Sequence, residues 1–175
     1  RLEILVVLEV APDRGQHRSL QDRLLDLERI AGTFRGVVGD PEPQVKRLLD
    51  VTKASLERAI EQVRPGNRLF DICAAVENHV KTNGFSIVKE YVGHGIGTQL
   101  HEEPQVPNYV DRRNDNPRLK EGMVFAIEPM VNAGQGDSRL KPDRWTAVAK
   151  DGSYSAHFEH CVAVTADGPW VLTRP

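Results

Sequence analysis

The stretch GMVFAIEPMV, residues 122–131, is apolar throughout its interior except for Glu128. A short apolar run bounded by turn signals reads as a buried strand, and a carboxylate inside it has no ordinary place. A second stretch repeats the anomaly: YSAHFEHCVAVT, residues 154–165, alternates as a strand does and carries Glu159 where an apolar residue is expected. A buried carboxylate must be paired, protonated or bound to a metal, because desolvating it alone is costly. One such acid at a sheet edge could meet solvent or an arginine. Two in one sheet ask for a chemical reason.

Working outward, WTAVAK (145–150), a turn at Asp151-Gly152, the strand of Glu159, a turn at Asp167-Gly168 and WVLT (170–173) have the marks of an antiparallel sheet. Upstream, residues 42–63 place Val45, Leu48, Leu49, Thr52, Leu56, Ile60 and Val63 on one stripe, which predicts a helix ending at RPGN, 64–67. A second helix is predicted over 69–81, with Ile72, Val76 and Val80 on one face and Asn83-Gly84 as its stop. FSIVKEYV (85–92) is strand-like, and 104–117, rich in Pro and Asn, reads as a loop. Nearer the start, Leu20, Leu24, Leu27 and Ile30 predict an amphipathic helix over 14–30. Helices followed by several strands give an α+β domain, with helices backing a curved antiparallel sheet.

The chain of 175 residues suits one domain with a sizeable core. A formal net charge of −2 lacks the basic excess that a nucleic-acid backbone demands, so DNA is not an expected partner. The apolar run LEILVVLEV, residues 2–10, contains Glu3 and Glu9 and is about half the ~20 residues of a membrane span. Two cysteines, Cys73 and Cys161, do not make a disulfide framework. These features fit a cytoplasmic protein with no membrane partner.

Between the helices and the acidic strands lies YVGHGIGTQLHEEPQV, residues 91–106, with His94 set between glycines and His101 in a polar cluster. His94, Glu128 and Glu159 stand 34 and 31 residues apart, each on or beside a strand, so folding could bring them together. An imidazole with hard carboxylate donors suits divalent Mn, Fe, Co or Zn without any cysteine. The glycines beside His94 let backbone and substrate approach closely. Taken alone, a histidine in GHG is explained equally well by a turn imidazole bonded to backbone. His101 could donate a hydrogen bond to a carbonyl oxygen gaining charge. His157 shares the face of Glu159 by alternation, which allows a role behind the ligands, while His79 reads as exposed on its helix.

Together GHGIGTQLHEEPQVPNY, EGMVFAIEPMVNAG, DRWTAVAKDGSYSAHFEHCVAVTADG and RLLDVTKASLERAIEQVRPGNRL resemble the C-terminal part of a type I methionine aminopeptidase, across residues 33–175. Proline-cleaving relatives have EPG where this chain has Glu128-Pro129-Met130. The type II enzymes carry an insertion between the last two ligand strands that a spacing of 31 leaves no room for. The resemblance implies a pita-bread fold and a site of two divalent metals (Co, Mn, Fe or Zn) that removes the N-terminal methionine of nascent proteins. It implies a cytoplasmic monomer acting on such peptides, with ribosome association. Carried over, His94 and Glu128 are ligands of one metal, Glu159 bridges both, and Glu128 also shuttles the proton of the attacking water. His101 binds the scissile carbonyl, and Trp145 lines the methionine pocket. Leu100 stands where many relatives have Phe, and His157 where Gln is common.

Two aspartate ligands of the family, eleven residues apart, belong upstream of Thr33-Phe34. An ungapped count puts Arg29 and Arg18 there, and a guanidinium ligates no cation. The upstream substrate histidine and half of the methionine pocket also lack counterparts. The expectation is therefore a divergent segment over 1–32, from a frame break, a fusion or a foreign joint, followed by a partial catalytic domain over 33–175. Such a chain holds at most one metal, weakly, has low peptidase activity, and leaves sheet edges and apolar surface uncovered. The alternative is a non-catalytic pita-bread module that binds protein or ribosome. It makes the remaining ligands expendable, yet His94, His101, Glu128 and Glu159 are all intact.

Overall fold

The computed structural model describes residues 42–144 and 146–174. The helix expected over 14–30 and the divergent segment lie outside them. Helix α1, Pro43–Ile60, buries Val45, Leu48, Leu56 and Ile60 of the predicted stripe together with Val51 and Ala59 along one face, while Leu49 is only half-buried and Val63 lies past the helix end. Two polar residues on that face cost little, because they bond within the helix: Thr52 Oγ1 donates to the Leu48 carbonyl and Ser55 Oγ to the Thr52 carbonyl, each at 2.7 Å.

Helix α2, Leu69–Thr82, starts where the Arg68 amide donates to the Asp71 carboxylate at 2.7 Å, an acid in the first turn that suits the positive end of the dipole. It ends as its sequence predicts. Asn83 Nδ2 donates to the His79 carbonyl at 2.8 Å, and Gly84 turns the chain away at φ +77°, a conformation that glycine adopts without strain. His79 is half-buried at this end rather than exposed, and burial lowers its pKa.

Ten strands follow among the described residues: β1 Ser86–Ile87, β2 Gly93–Ile96, β3 Glu102–Val106, β4 Val124–Ile127, β5 Met130–Asn132, β6 Ser138–Leu140, β7 Ala147–Ala149, β8 Ser155–His157, β9 His160–Thr165 and β10 Gly168–Val171. They form a five-stranded sheet ordered β10-β9-β4-β2-β3, a three-stranded sheet ordered β1-β5-β8 and the separate pair β6-β7. Every pairing is antiparallel. The α+β class and the antiparallel pairing are those expected, but the C-terminal strands are shared among three sheets.

Several elements depart from expectation: the strands read over 122–131 and 154–165 each split between the two larger sheets, and β7 pairs with β6 apart from both. Of residues 85–92 only Ser86 and Ile87 pair as strand; the chain then leaves the sheet, tied by the Val88 amide to the Met130 carbonyl at 3.0 Å. The supposed loop after Pro104 begins instead within β3, at the edge of the five-stranded sheet. A proline is tolerated there because an edge residue can do without a ladder amide. Its register with β2 runs Gly93 to Val106 and His94 to Gln105, then jumps to Gly95 opposite Glu102. That bulge sits at His94, and bulges of this kind re-aim side chains.

The helices close one side of the sheets. Leu48, Leu56, Leu69, Ile72, Val76 and Val80 pack with Phe125, Ile127, Val131 and Val162 in one core. Leu48 is fully buried at 0% exposure. Leu48→Ala should therefore lower unfolding stability by ~2–5 kcal/mol, read from urea denaturation at constant m-value; a change below 1 kcal/mol is the result that contradicts this core.

Candidate metal centre

The two anomalous acids occupy one place in the architecture. Residues 128–129 separate β4 from β5, and residues 158–159 separate β8 from β9. β4 pairs with β9 and β5 with β8, with Ile127 opposite His160 and Met130 opposite His157. A single long antiparallel pair thus passes from the five-stranded to the three-stranded sheet, and both of its strands break at a glutamate. The Phe158 amide donates to the Pro129 carbonyl across the break at 3.4 Å. Strand alternation alone would have turned these side chains into the core or out to water. The break lets both carboxylates converge.

Glu128 is buried, at 9% exposure. His94, on β2 beside β4, places Nε2 3.8 Å from Glu128 Oε1. His157, at the end of β8, places Nε2 3.6 Å from Glu128 Oε2. The approach of β2 depends on glycine: a Cβ on Gly93 would lie 2.2 Å from the Ala126 carbonyl oxygen, and one on Gly95 2.5 Å from that of Glu103. The His101 ring lies against His94 at a centroid distance of 4.2 Å. Of the expected residues, the structure brings together His94, His101, Glu128 and Glu159. Trp145, Arg18 and Arg29 lie outside the described residues. His160 is directed elsewhere, its Nδ1 2.7 Å from Thr173 Oγ1.

Sequence reasoning missed Asn108. Its buried Nδ2 donates to the Glu128 carbonyl at 3.1 Å, fixing the backbone at the point where the strand breaks. Only the polarity of an asparagine in PNY could have hinted at it.

The electrostatics are those of a site short of positive charge. Burial first, and the Glu128 carboxylate second, raise the pKa of Glu159, against the pull of His157 and His94. Burial and then His94 lower that of His101, with Glu128 pulling the other way, which favours the neutral imidazole with its single N–H. Burial first, then Glu159 and Glu128, push the Cys161 thiol up to about 12, which leaves it unreactive.

These donors fit a divalent cation in part. His94 Nδ1 is 3.0 Å from the Gly95 carbonyl oxygen; a carbonyl only accepts, so Nδ1 carries the hydrogen and Nε2 keeps its lone pair toward Glu128. Two donors each ~2.1 Å from one ion stand roughly 3–4 Å apart, and the His94–Glu128 separation of 3.8 Å falls in that range. Among the described residues no group of three His, Cys, Asp or Glu is yet closed around a point. The site offers one flank of a metal centre. A cleft lined by Glu77, Lys81, Phe85, Lys89, Glu90 and Tyr109 is separate from it.

The model of metallopeptidase family M24 matches residues 29–166. The chain belongs to this family. It is 49% identical over 145 residues to the methionine aminopeptidase of Borreliella burgdorferi, covering 83% of this chain and 57% of that protein. The crystal structure of the Thermotoga maritima methionine aminopeptidase superposes with a TM-score of 0.76 at 43% identity, over 80% of this chain and 56% of the other. The Pyrococcus horikoshii prolidase is more distant, with a TM-score of 0.57 at 26% identity, over 79% of this chain and 34% of that one. The architecture is thus the pita-bread fold of the M24 methionine aminopeptidases. The chain spans a little over half the length of the curated relatives it matches.

Two outcomes follow. Gly93→Ala must push β2 off β4, so it should destabilise the chain by at least ~2 kcal/mol in thermal or urea unfolding; an unchanged transition contradicts the close approach. Glu159→Gln removes a buried charge whose folded pKa is raised. Ionised Glu159 costs stability as pH rises from its unfolded value through the higher folded one, and costs nothing below both. The variant should be more stable than the parent in EDTA at pH 7 by on the order of 1 kcal/mol and equal to it near pH 4; a pH-independent difference contradicts the repulsion.

Proposed function

We propose that this chain carries the C-terminal, ligand-bearing part of a methionine aminopeptidase, which removes the N-terminal methionine of new polypeptides with a divalent metal. The observation that carries this reading is the meeting of His94 and Glu128, with Glu159, at the strand break. His94, Glu128 and Glu159 would hold the ion. Such an ion, when bound, polarises the scissile carbonyl and lowers the pKa of water.

The chain's own side chains do the rest. Glu128, buried and pinned through its carbonyl by Asn108, takes the proton of the attacking water on a carboxylate oxygen and delivers it to the departing amine. His101, pushed toward its neutral form by burial and by His94, donates its N–H to the carbonyl oxygen as negative charge grows there. His94, its Nδ1 held by the Gly95 carbonyl, keeps Nε2 in place as a ligand. Trp145 would line the methionine side-chain pocket.

Activity in this chain is limited by what the family supplies from upstream. Arg18 and Arg29 stand at the counted positions of two aspartate ligands, so one ion is held weakly and a second hardly at all. Retention of His94, His101, Glu128 and Glu159 favours a peptidase over a module that only binds protein or ribosome. We assign the chain a cytoplasmic place, acting as a monomer on nascent peptides; among the described residues no helix is long and apolar enough to cross a membrane.

Incubation with a Met-Ala-Ser peptide and Mn or Co tests the reading. Methionine release should require the metal, disappear in Glu128→Gln, and run roughly a hundredfold or more below a full-length relative, given 10–100-fold for even one lost supporting group. Release at the full rate, or release in the presence of chelator, contradicts it.

A further inference from the structure

The His157 imidazole has no explanation in the reading above. Its side chain is 8% exposed, and its Nε2 is a buried polar atom without a hydrogen-bond partner. Burying an imidazole nitrogen with nothing to bond carries a penalty, so such an atom calls for a ligand. Close to it stands the second carboxylate oxygen of Glu128. The separation of 3.6 Å is too long for a hydrogen bond and lies in the range of two donors to one cation.

His94 stands in the same relation to the other oxygen, at 3.8 Å. The carboxylate of Glu128 is therefore flanked by imidazole nitrogens on both sides, one per oxygen. Register explains why. Met130 pairs with His157 and Ala126 with His94, so β8 and β2 reach the strand break between β4 and β5 from opposite neighbours. Glu159 follows His157 by two residues, at the matching break between β8 and β9.

We propose that His157 Nε2 is a further donor to the divalent cation held against Glu128, so that the site of this chain offers two imidazoles and two carboxylates. The inference rests on the metal-binding part of the proposed function. It gives the site a second imidazole donor in a place short of upstream carboxylates. It also shifts the preferred ion, because each added imidazole favours Co, Ni or Zn over Mn, which prefers oxygen donors.

X-ray absorption of the Co-loaded full chain, with calorimetric titration of Co and Mn into the parent, His157→Gln, His157→Asn and His94→Gln, tests it. Circular dichroism checks the fold of each. In the parent two imidazole rings should scatter around cobalt. Each His157 variant should show one, bind Co about 10–100-fold more weakly, and lose less affinity for Mn, so that the Co-to-Mn preference narrows. The parent spectrum needs no variant and decides the case even if a substitution misfolds: a single imidazole overturns the inference. Unchanged Co affinity in both His157 variants with loss in His94→Gln overturns this inference alone and leaves the proposed function standing. A parent chain that binds neither ion overturns both.

Discussion

Everything at this site depends on two carboxylates being held where an antiparallel pair changes sheets. The pair β4-β9 continues as β5-β8, and both strands break at the crossing, one at Glu128-Pro129 and the other at Phe158-Glu159. Backbone hydrogen bonds on each side fix the register, while the apolar core beneath, with Phe125, Ile127, Val131 and Val162 fully or nearly buried, holds the breaks in place. The carboxylates repel, and burial leaves the field between them unscreened. The fold thus spends stability on a concentration of negative charge that only a cation or a proton relieves.

The remaining groups follow from that corner. β2 can lie close enough to present His94 only because Gly93 and Gly95 leave room for the facing carbonyls. The bulge opposite Gly95 lets β3 turn back beside it, which brings His101 against His94. Asn108, twenty residues before Glu128 in sequence, reaches back to its carbonyl. Membership of metallopeptidase family M24 agrees with a corner that sets an imidazole beside a buried carboxylate.

Much of this was legible in the chain because local chemistry and tertiary need agreed. The stripe from Val45 to Ile60 and the Asn83-Gly84 stop announce the helices, since periodicity and capping are local properties. Glu128 and Glu159 stood out because a charge in an apolar strand is an anomaly at any scale. β3 was hidden because Pro104 and its polar neighbours look like a loop; as an edge strand it needs a ladder on one side only. Asn108 was hidden because its meaning is one contact with a distant carbonyl. His157 was visible as a residue sharing a face with Glu159, but the lack of a partner for its Nε2 is a property of packing that no local pattern carries.

The central claim is that the corner at Glu128 and Glu159 is built for a divalent cation. Thermal unfolding of the purified chain at neutral pH, with cobalt added and then removed by chelator, tests it most directly. A ligand that binds only the folded state raises its stability by about 2.7 kcal/mol at a hundred times its dissociation constant. The account predicts a melting temperature that climbs with cobalt concentration and falls back with chelator. A melting temperature unmoved by cobalt would contradict it.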